Sequence, residues 1–257
     1  MNTLGIIVPV QKLSEESYAL VICYPKPSSA ELEKRIKELK ELGISAIEFS
    51  GSKVVANLPV LGKGCVGVVV KAYRGGEEVA LKIRRVDADR SGMHHEAKML
   101  AIANQLGVGP KLLNSSDNFL VMQYIRGKLL PEWLESCTEI RLKLVMKEIL
   151  EQCWRLDAAG LDHGELSHAP KHIIIDEMDK PFIVDFETAS LNRKPSNVTS
   201  MVQFLFIRGA VAEKINNMLG SRNENLIVEA LRRYKMDRSR SNFEIILETC
   251  GVYVTTL

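Results

Sequence analysis

The chain lacks several features that would assign it a class at once. Its five cysteines (Cys23, Cys65, Cys137, Cys153, Cys250) are scattered, and no C-x-x-C pair occurs. That excludes a disulfide framework and a cysteine-built structural zinc site, and it fits a reducing, cytoplasmic setting. No apolar run approaches the about 18 residues that span a bilayer, so no membrane partner is expected. The N-terminal MNTLGIIVPV has no basic region ahead of its apolar residues and does not read as a signal peptide. Charge of one sign is also missing: the formal net charge is +2 over 257 residues, which favours no particular partner. Low-complexity linkers and internal repeats are absent, while 46% hydrophobic residues are enough for a buried core.

What the chain does have is a glycine-rich hairpin. Leu61-Gly62-Lys63-Gly64-Cys65-Val66-Gly67 runs into Val68-Val69-Val70, then Gly75-Gly76, then Val79-Ala80-Leu81-Lys82-Ile83. A dinucleotide-binding G-x-G-x-x-G must open a helix. Here the glycines lead into a β-branched run, which predicts a strand. Gly75-Gly76 suits a two-residue type I′ turn, whose central residues both need positive φ. The local expectation is three antiparallel strands under a glycine flap, the arrangement with which a kinase-like fold holds ATP phosphates.

Residues 1–55 precede this hairpin and read as a small α/β appendage. The apolar run Tyr18–Cys23 predicts a strand. Ser28-x-x-Glu31 predicts a capped helix with Leu32, Ile36, Leu39 and Leu42 on one stripe, closed by Gly43. Glu31/Arg35 adds an i,i+4 pair, and Ile44–Phe49 predicts a strand. This segment lacks the successive helices of a DNA-reading module, so no direct DNA reading is expected. Downstream, Ser91 is the expected N-cap of a helix ending at Gly107. Strands are expected near residues 111–113 and 119–122, and Thr138 opens a long helix carrying Ile140, Leu144, Val145, Ile149, Cys153 and Leu156. Ile173–Ile175 and Phe182–Val184 predict a hairpin. Residues 199–257 read as mostly helical, with an extended end from Gly251 to Thr255.

Phosphoryl transfer needs positioned charges, not covalent work by the protein. Lys82, on the strand after the hairpin, suits the α/β-phosphates, and Glu96 in the next helix is its natural ion-pair partner. Taken alone, each residue is a common surface group; the hairpin before them gives the pattern its meaning. Asp185, after the apolar strand Phe182–Val184, is a carboxylate at a strand end, where metal ligands collect. His163-Gly164-Glu165 follows the long helix, as a catalytic loop does. His163, His168 and His172 also suggest zinc, but Pro170 interrupts the helix that would gather them. The basic run Arg232–Arg240 suits an acidic partner or RNA, though a solvated helix end explains it as well.

The segments HEAKMLAIANQLGVGPKLL, FLVMQYIRG, LDHGELS and IVDFE resemble atypical protein kinases of the RIO type and the archaeal small kinase subunit of the KEOPS tRNA-modification complex. The resemblance covers about residues 60–190. It implies an α+β, two-lobed protein-kinase-like fold: an antiparallel-sheet N-lobe at 56–122 and a mostly helical minimal C-lobe at 123–257. It implies ATP with Mg²⁺ or Mn²⁺, and a serine or threonine hydroxyl of a protein, or of the chain itself, as acceptor. ATP contacts then fall to Leu61, Gly62, Lys63, Gly64, Gly67, Val69, Ala80, Lys82, Met122, Gln123 and Ile125. Catalytic roles fall to Lys82, Glu96, Glu165 and Asp185, and metal binding to Asp185 and His172. Ribosomal or tRNA-modification assembly partners are implied as well.

Three departures stand out. Glu165 replaces the family's catalytic aspartate, and displacements of that size matter for positioning. Pro170 stands five residues later, where a metal-binding asparagine belongs; the loop reads as about two residues longer and brings His172 to that place. A nitrogen ligand suits Mn²⁺ better than Mg²⁺. No A-P-E motif follows Asp185-Phe186-Glu187. The ending IVDFE also resembles choline and aminoglycoside kinases, so a small-molecule kinase is the alternative enzyme. A nucleotide-binding pseudokinase or ATPase assembly factor is the alternative suggested by Glu165 and Pro170.

Overall fold

A computed structural model describes residues 5–253, with the side chains of Glu16, Arg90, His168 and Ala169 outside the description. The chain divides into two units. The first runs to Ala101 and adds Pro110–Tyr124; the second comprises Ile102–Gly109 and the residues from Ile125 onward.

The first unit contains β1 (Ile6–Pro9), a 3₁₀ turn (Val10–Lys12), α1 (Glu16–Ile22), α2 (Ser29–Glu41), β2 (Ile44–Phe49), β3 (Lys53–Val55), β4 (Leu58–Val60), β5 (Gly62–Lys63), β6 (Gly67–Arg74), β7 (Glu77–Arg84), most of α3 (Arg90–Gln105), β8 (Leu112–Ser115) and β9 (Phe119–Gln123). The sheet order is β1-β2-β6-β7-β9-β8, with β5 on β6, and every pairing is antiparallel. The β6–β7 hairpin turns at Gly75 and Gly76, with φ of 58° and 85°, as a type I′ turn demands. Period-two alternation sends Val68, Val70, Val79, Leu81, Ile83 and Val121 into a core shared with Leu13, Ile22, Leu39, Ile47 and Phe49. Residues up to Phe49 therefore supply two strands and two helices to the same sheet and core as the glycine hairpin.

In the first unit two local expectations need correction. Tyr18–Cys23 is not a strand; Glu16–Ile22 is helical. A short apolar run without alternation fits either structure, and here it packs as a helix against α2 and β4. Ser91 is not the cap of α3: its N–H and hydroxyl both bond Asp89, and the helix starts at Arg90.

The second unit contains β10 (Gly127–Leu129), α4 (Leu130–Trp133), α5 (Glu139–Ala158), a 3₁₀ turn (Leu166–Lys171), β11 (Ile173–Asp176), β12 (Pro181–Ile183), α6 (Asn197–Val202), a π-helical turn (Gln203–Ile207), α7 (Ala210–Leu219), α8 (Glu224–Met236) and α9 (Arg240–Thr249). Helix α5 buries Leu142, Val145, Met146, Ile149, Cys153 and Leu156. Ile140 and Leu144, expected in that stripe, are exposed at 71% and 50%. Gly251–Tyr253 form no strand, and Val254 and Thr255 lie outside the described residues. The basic run is tied locally: Arg240 grips Glu151 and Glu244, and Arg238 donates to the Pro195 carbonyl. Together these units form the α+β class expected, a sheet unit and a mostly helical unit compatible with a two-lobed kinase-like fold. No helix among the described residues is long and apolar enough to cross a membrane.

Candidate active site

In the first unit, β7 presents its two faces to different surroundings. Val79, Leu81 and Ile83 enter the core, so Ala80 and Lys82 point the other way. Lys82 pairs across the ladders with Val69 and Leu120, and Ala80 with Met122. Val69, Ala80 and Met122 therefore share the face of Lys82, and all three stay only half-buried. Lys82 itself is buried, and its Nζ lies 2.7 Å from Glu96 Oε2 on α3. A buried lysine is tolerable because the carboxylate compensates its charge. Gly67 leaves the room for this: a Cβ there would lie 3.0 Å from the Ile83 carbonyl oxygen and 3.1 Å from Lys82 Cγ. The flap is held by Leu61 N–H to the Val69 carbonyl and Gly64 N–H to the Gly67 carbonyl, while Lys63 and Gly64 are exposed.

The end of the strand that carries Lys82 is held by a buried network. Arg35 on α2 is fully buried and donates to the Ile22 and Arg84 carbonyls and to Asn118 Oδ1. Arg84, two residues past Lys82, also donates to Asn118 Oδ1 and to the carbonyls of Arg85 and Ala88 in the segment that leads into α3. The Glu31–Arg35 contact at 2.8 Å is thus part of a buried anchor and not a surface pair.

In the second unit, the loop after α5 and the segment after β12 bring Glu165, His172 and Asp185 together. One donor atom of each lies within 4.8 Å of the others. Glu165 Oε2 is 2.9 Å from His172 Nε2 and 3.6 Å from Lys171 Nζ. His172 Nδ1 is 3.6 Å from Asp185 Oδ2, too long for a hydrogen bond. His172 is only 1% exposed, and its Nδ1 has no hydrogen-bond partner among the described residues. Burial lowers the His172 pKa, against the opposing pull of Asp185 and Glu165. Asp185 has φ of 71°, a left-handed conformation uncommon outside glycine.

His163 fixes the loop from within. It is fully buried, its Nε2–H donates to the Val184 carbonyl, and it packs edge-on to Phe186. Burial lowers its pKa to about 4, so the ring stays neutral. Its backbone N–H donates to Asn197 Oδ1, and its carbonyl accepts from Thr188 Oγ1. Asn197 in turn donates to Asp157 and to the Leu161 carbonyl, and Asp157 also accepts from Tyr234. Gly164 has φ of 90°, and a Cβ there would meet Arg193 and Thr188. Asp162 holds Arg193 and Ser196. Sequence reasoning missed Asp157 and Asn197. The signal was weak: an acid in the last turn of a helix, where the dipole disfavours it.

Other expected residues are placed as follows. Gln123 ends β9 and is exposed; its N–H donates to the Lys111 carbonyl and its Oε1 accepts from Lys111 N–H. Ile125 is half-buried in the second unit. The zinc grouping is not supported by the described residues: His163 spends its Nε2–H on Val184, and the side chain of His168 lies outside them.

No family model matches the chain. It is similar to the KEOPS complex subunit Bud32 of Pyrococcus abyssi, with 32% identity over 163 residues, which are 62% of this chain and 68% of that protein. It is also similar to an uncharacterized protein of Methanocaldococcus jannaschii, with 29% identity over 116 residues, 44% of this chain and 98% of that protein.

Proposed function

The chain belongs to the Bud32 family, and from that premise we propose that it is an ATP-dependent, metal-requiring kinase of RIO-like type that phosphorylates serine or threonine hydroxyls of protein, itself included. The observation that carries the proposal is the buried Lys82–Glu96 pair at 2.7 Å beneath the glycine flap. A lysine held this way is a fixed positive charge for the α/β-phosphates, and it needs no reorganisation when ATP binds. Val69, Ala80 and Met122 supply the half-buried apolar face beside it, suited to the adenine ring.

Asp185 and His172 would hold the divalent cation. The donor set fits: a carboxylate faces a buried imidazole nitrogen that has no hydrogen-bond partner among the described residues. Such an ion, when bound, would supply charge neutralisation for the transferring phosphoryl group. Glu165 is 37% exposed, with Oε2 turned to His172, and its second oxygen is the candidate for the acceptor hydroxyl. The His163–Asn197–Asp157 chain keeps this loop in place. Among the nearby hydroxyls, Thr188, Ser190, Ser196 and Ser200 are partly accessible, whereas Thr199 is only 4% exposed and is a poor self-acceptor. The family relationship also points to a KEOPS-like assembly as the setting.

Glu165 being tied to His172 favours one second reading, an ATP-binding assembly factor without transfer. Incubation with γ-labelled ATP and Mg²⁺ or Mn²⁺, with and without protein acceptors, separates the two. Label on protein that Lys82→Ala and Asp185→Ala both abolish supports the kinase. ATP-induced thermal stabilisation without any transfer supports the assembly factor. Label on an added amino-alcohol metabolite but not on protein points to a small-molecule kinase.

A further inference from the structure

We infer that Glu165 is a positioning residue for a histidine metal ligand: by accepting the Nε2–H of His172 it aims the ring's Nδ1 at Asp185, and the site so formed takes Mn²⁺ in preference to Mg²⁺. The inference rests on the proposed kinase site and assigns one of its residues a further role.

The geometry leaves little choice of tautomer. A carboxylate oxygen only accepts, so the 2.9 Å contact from Glu165 Oε2 to His172 Nε2 puts the proton on Nε2. In the neutral ring Nδ1 then carries a lone pair. That lone pair faces a carboxylate oxygen of Asp185 at 3.6 Å with no hydrogen bond between them, inside a ring that is 1% exposed. Two acceptors facing each other do not bond, and a buried nitrogen left unmet costs free energy. A cation bound by both removes the conflict. Carboxylate, imidazole and metal in this order form the usual support of a histidine ligand, in which the outer carboxylate sets the tautomer and raises the basicity of the ring. Lys171 Nζ at 3.6 Å leaves Oε2 in place as an acceptor. A nitrogen donor disfavours Mg²⁺, which prefers oxygen ligands, whereas imidazole binds first-row transition ions.

The test is titration of the full chain with Mn²⁺ alone and with Mg²⁺ alone, with and without a non-hydrolysable ATP analogue. Calorimetry gives the affinities, and pulsed electron paramagnetic resonance detects nitrogen coupled to the bound Mn²⁺. The expected results are tighter binding of Mn²⁺ than of Mg²⁺ and coupling to one imidazole nitrogen that His172→Asn removes. Glu165→Ala should weaken Mn²⁺ binding about 10- to 100-fold, the usual effect of losing such a partner. Glu165→Gln, which still accepts a hydrogen bond but has no charge, should fall between and serves if the alanine variant does not fold. Absence of nitrogen coupling with and without the nucleotide, or an unchanged Mn²⁺ affinity in both Glu165 variants, overturns the inference. Both readouts are independent of phosphoryl transfer: an inactive protein that shows the coupling would sink the kinase reading alone, and an active one without it would sink this inference alone.

Discussion

Arg35 gives the most quantitative prediction. It is fully buried on α2 and joins four segments: the end of α1 through the Ile22 carbonyl, the end of β7 through the Arg84 carbonyl, the β8–β9 turn through Asn118, and its own helix through Glu31. Arg35→Ala removes the donor to two buried carbonyls. Asn118 Oδ1 keeps Arg84, and Glu31 keeps partial solvent contact and Arg84 at 3.7 Å. Each orphaned carbonyl costs about 1–3 kcal/mol, and the lost packing adds to this. The expected destabilisation is about 3–5 kcal/mol, the range seen when one partner of a buried charged network is removed. Lys37→Ala, two residues away on the exposed side of α2 with a side chain 79% exposed, should change stability by less than about 0.5 kcal/mol. Tryptophan fluorescence is the wrong probe, because Trp133 and Trp154 both lie in the second unit. Hydrogen exchange of the β6, β7 and β9 amides, with urea denaturation followed by far-ultraviolet circular dichroism, reports the right unit. A loss below about 1 kcal/mol for Arg35→Ala would refute the view that α2 anchors the strand carrying Lys82.

Two further predictions concern the glycine flap and the buried histidine. Gly67→Ala sets a Cβ against Lys82 and the Ile83 carbonyl; pushing Lys82 off its rotamer costs about 0.5–1.5 kcal/mol, so ATP affinity measured by calorimetry should fall about 2- to 13-fold. His163 stays neutral in the folded protein down to about pH 4, whereas the unfolded chain takes up the proton near pH 6.5. Between these values the unfolded state holds more protons, so stability rises with pH. The contribution is complete above pH 6.5 and is lost toward pH 4. It amounts to roughly 3 kcal/mol, at about 1.36 kcal/mol per pH unit. His163→Gln, which can still donate to the Val184 carbonyl, should flatten the slope of urea midpoint against pH in this window; an unchanged slope would contradict the assignment.

The parts of the site that could be read in the chain are those whose signal is local. The glycine hairpin, its two-residue turn and Lys82 on the following strand lie within 22 residues, from Leu61 to Lys82, and alternation fixes their faces. Glu96 follows in the next expected helix, 14 residues after Lys82. The Tyr18–Cys23 run was illegible because six apolar or aromatic residues without alternation carry no period. Arg35 looked like a surface residue because its i,i+4 acid is a surface pattern; its other partners lie 13, 49 and 83 residues away. The Glu165–His172 contact was hidden for a different reason. Pro170 and the longer loop suggested where His172 would fall, but only the three-dimensional path of the 3₁₀ turn shows that its ring meets Glu165 on one side and Asp185 on the other.

The most direct test of the account follows the γ-phosphate of ATP. With Mn²⁺ present, the wild-type chain should move label out of ATP and into protein, and Asp185→Ala should leave it in ATP. Label that stays in ATP with wild-type protein under both Mn²⁺ and Mg²⁺, or transfer that survives Asp185→Ala undiminished, would contradict it.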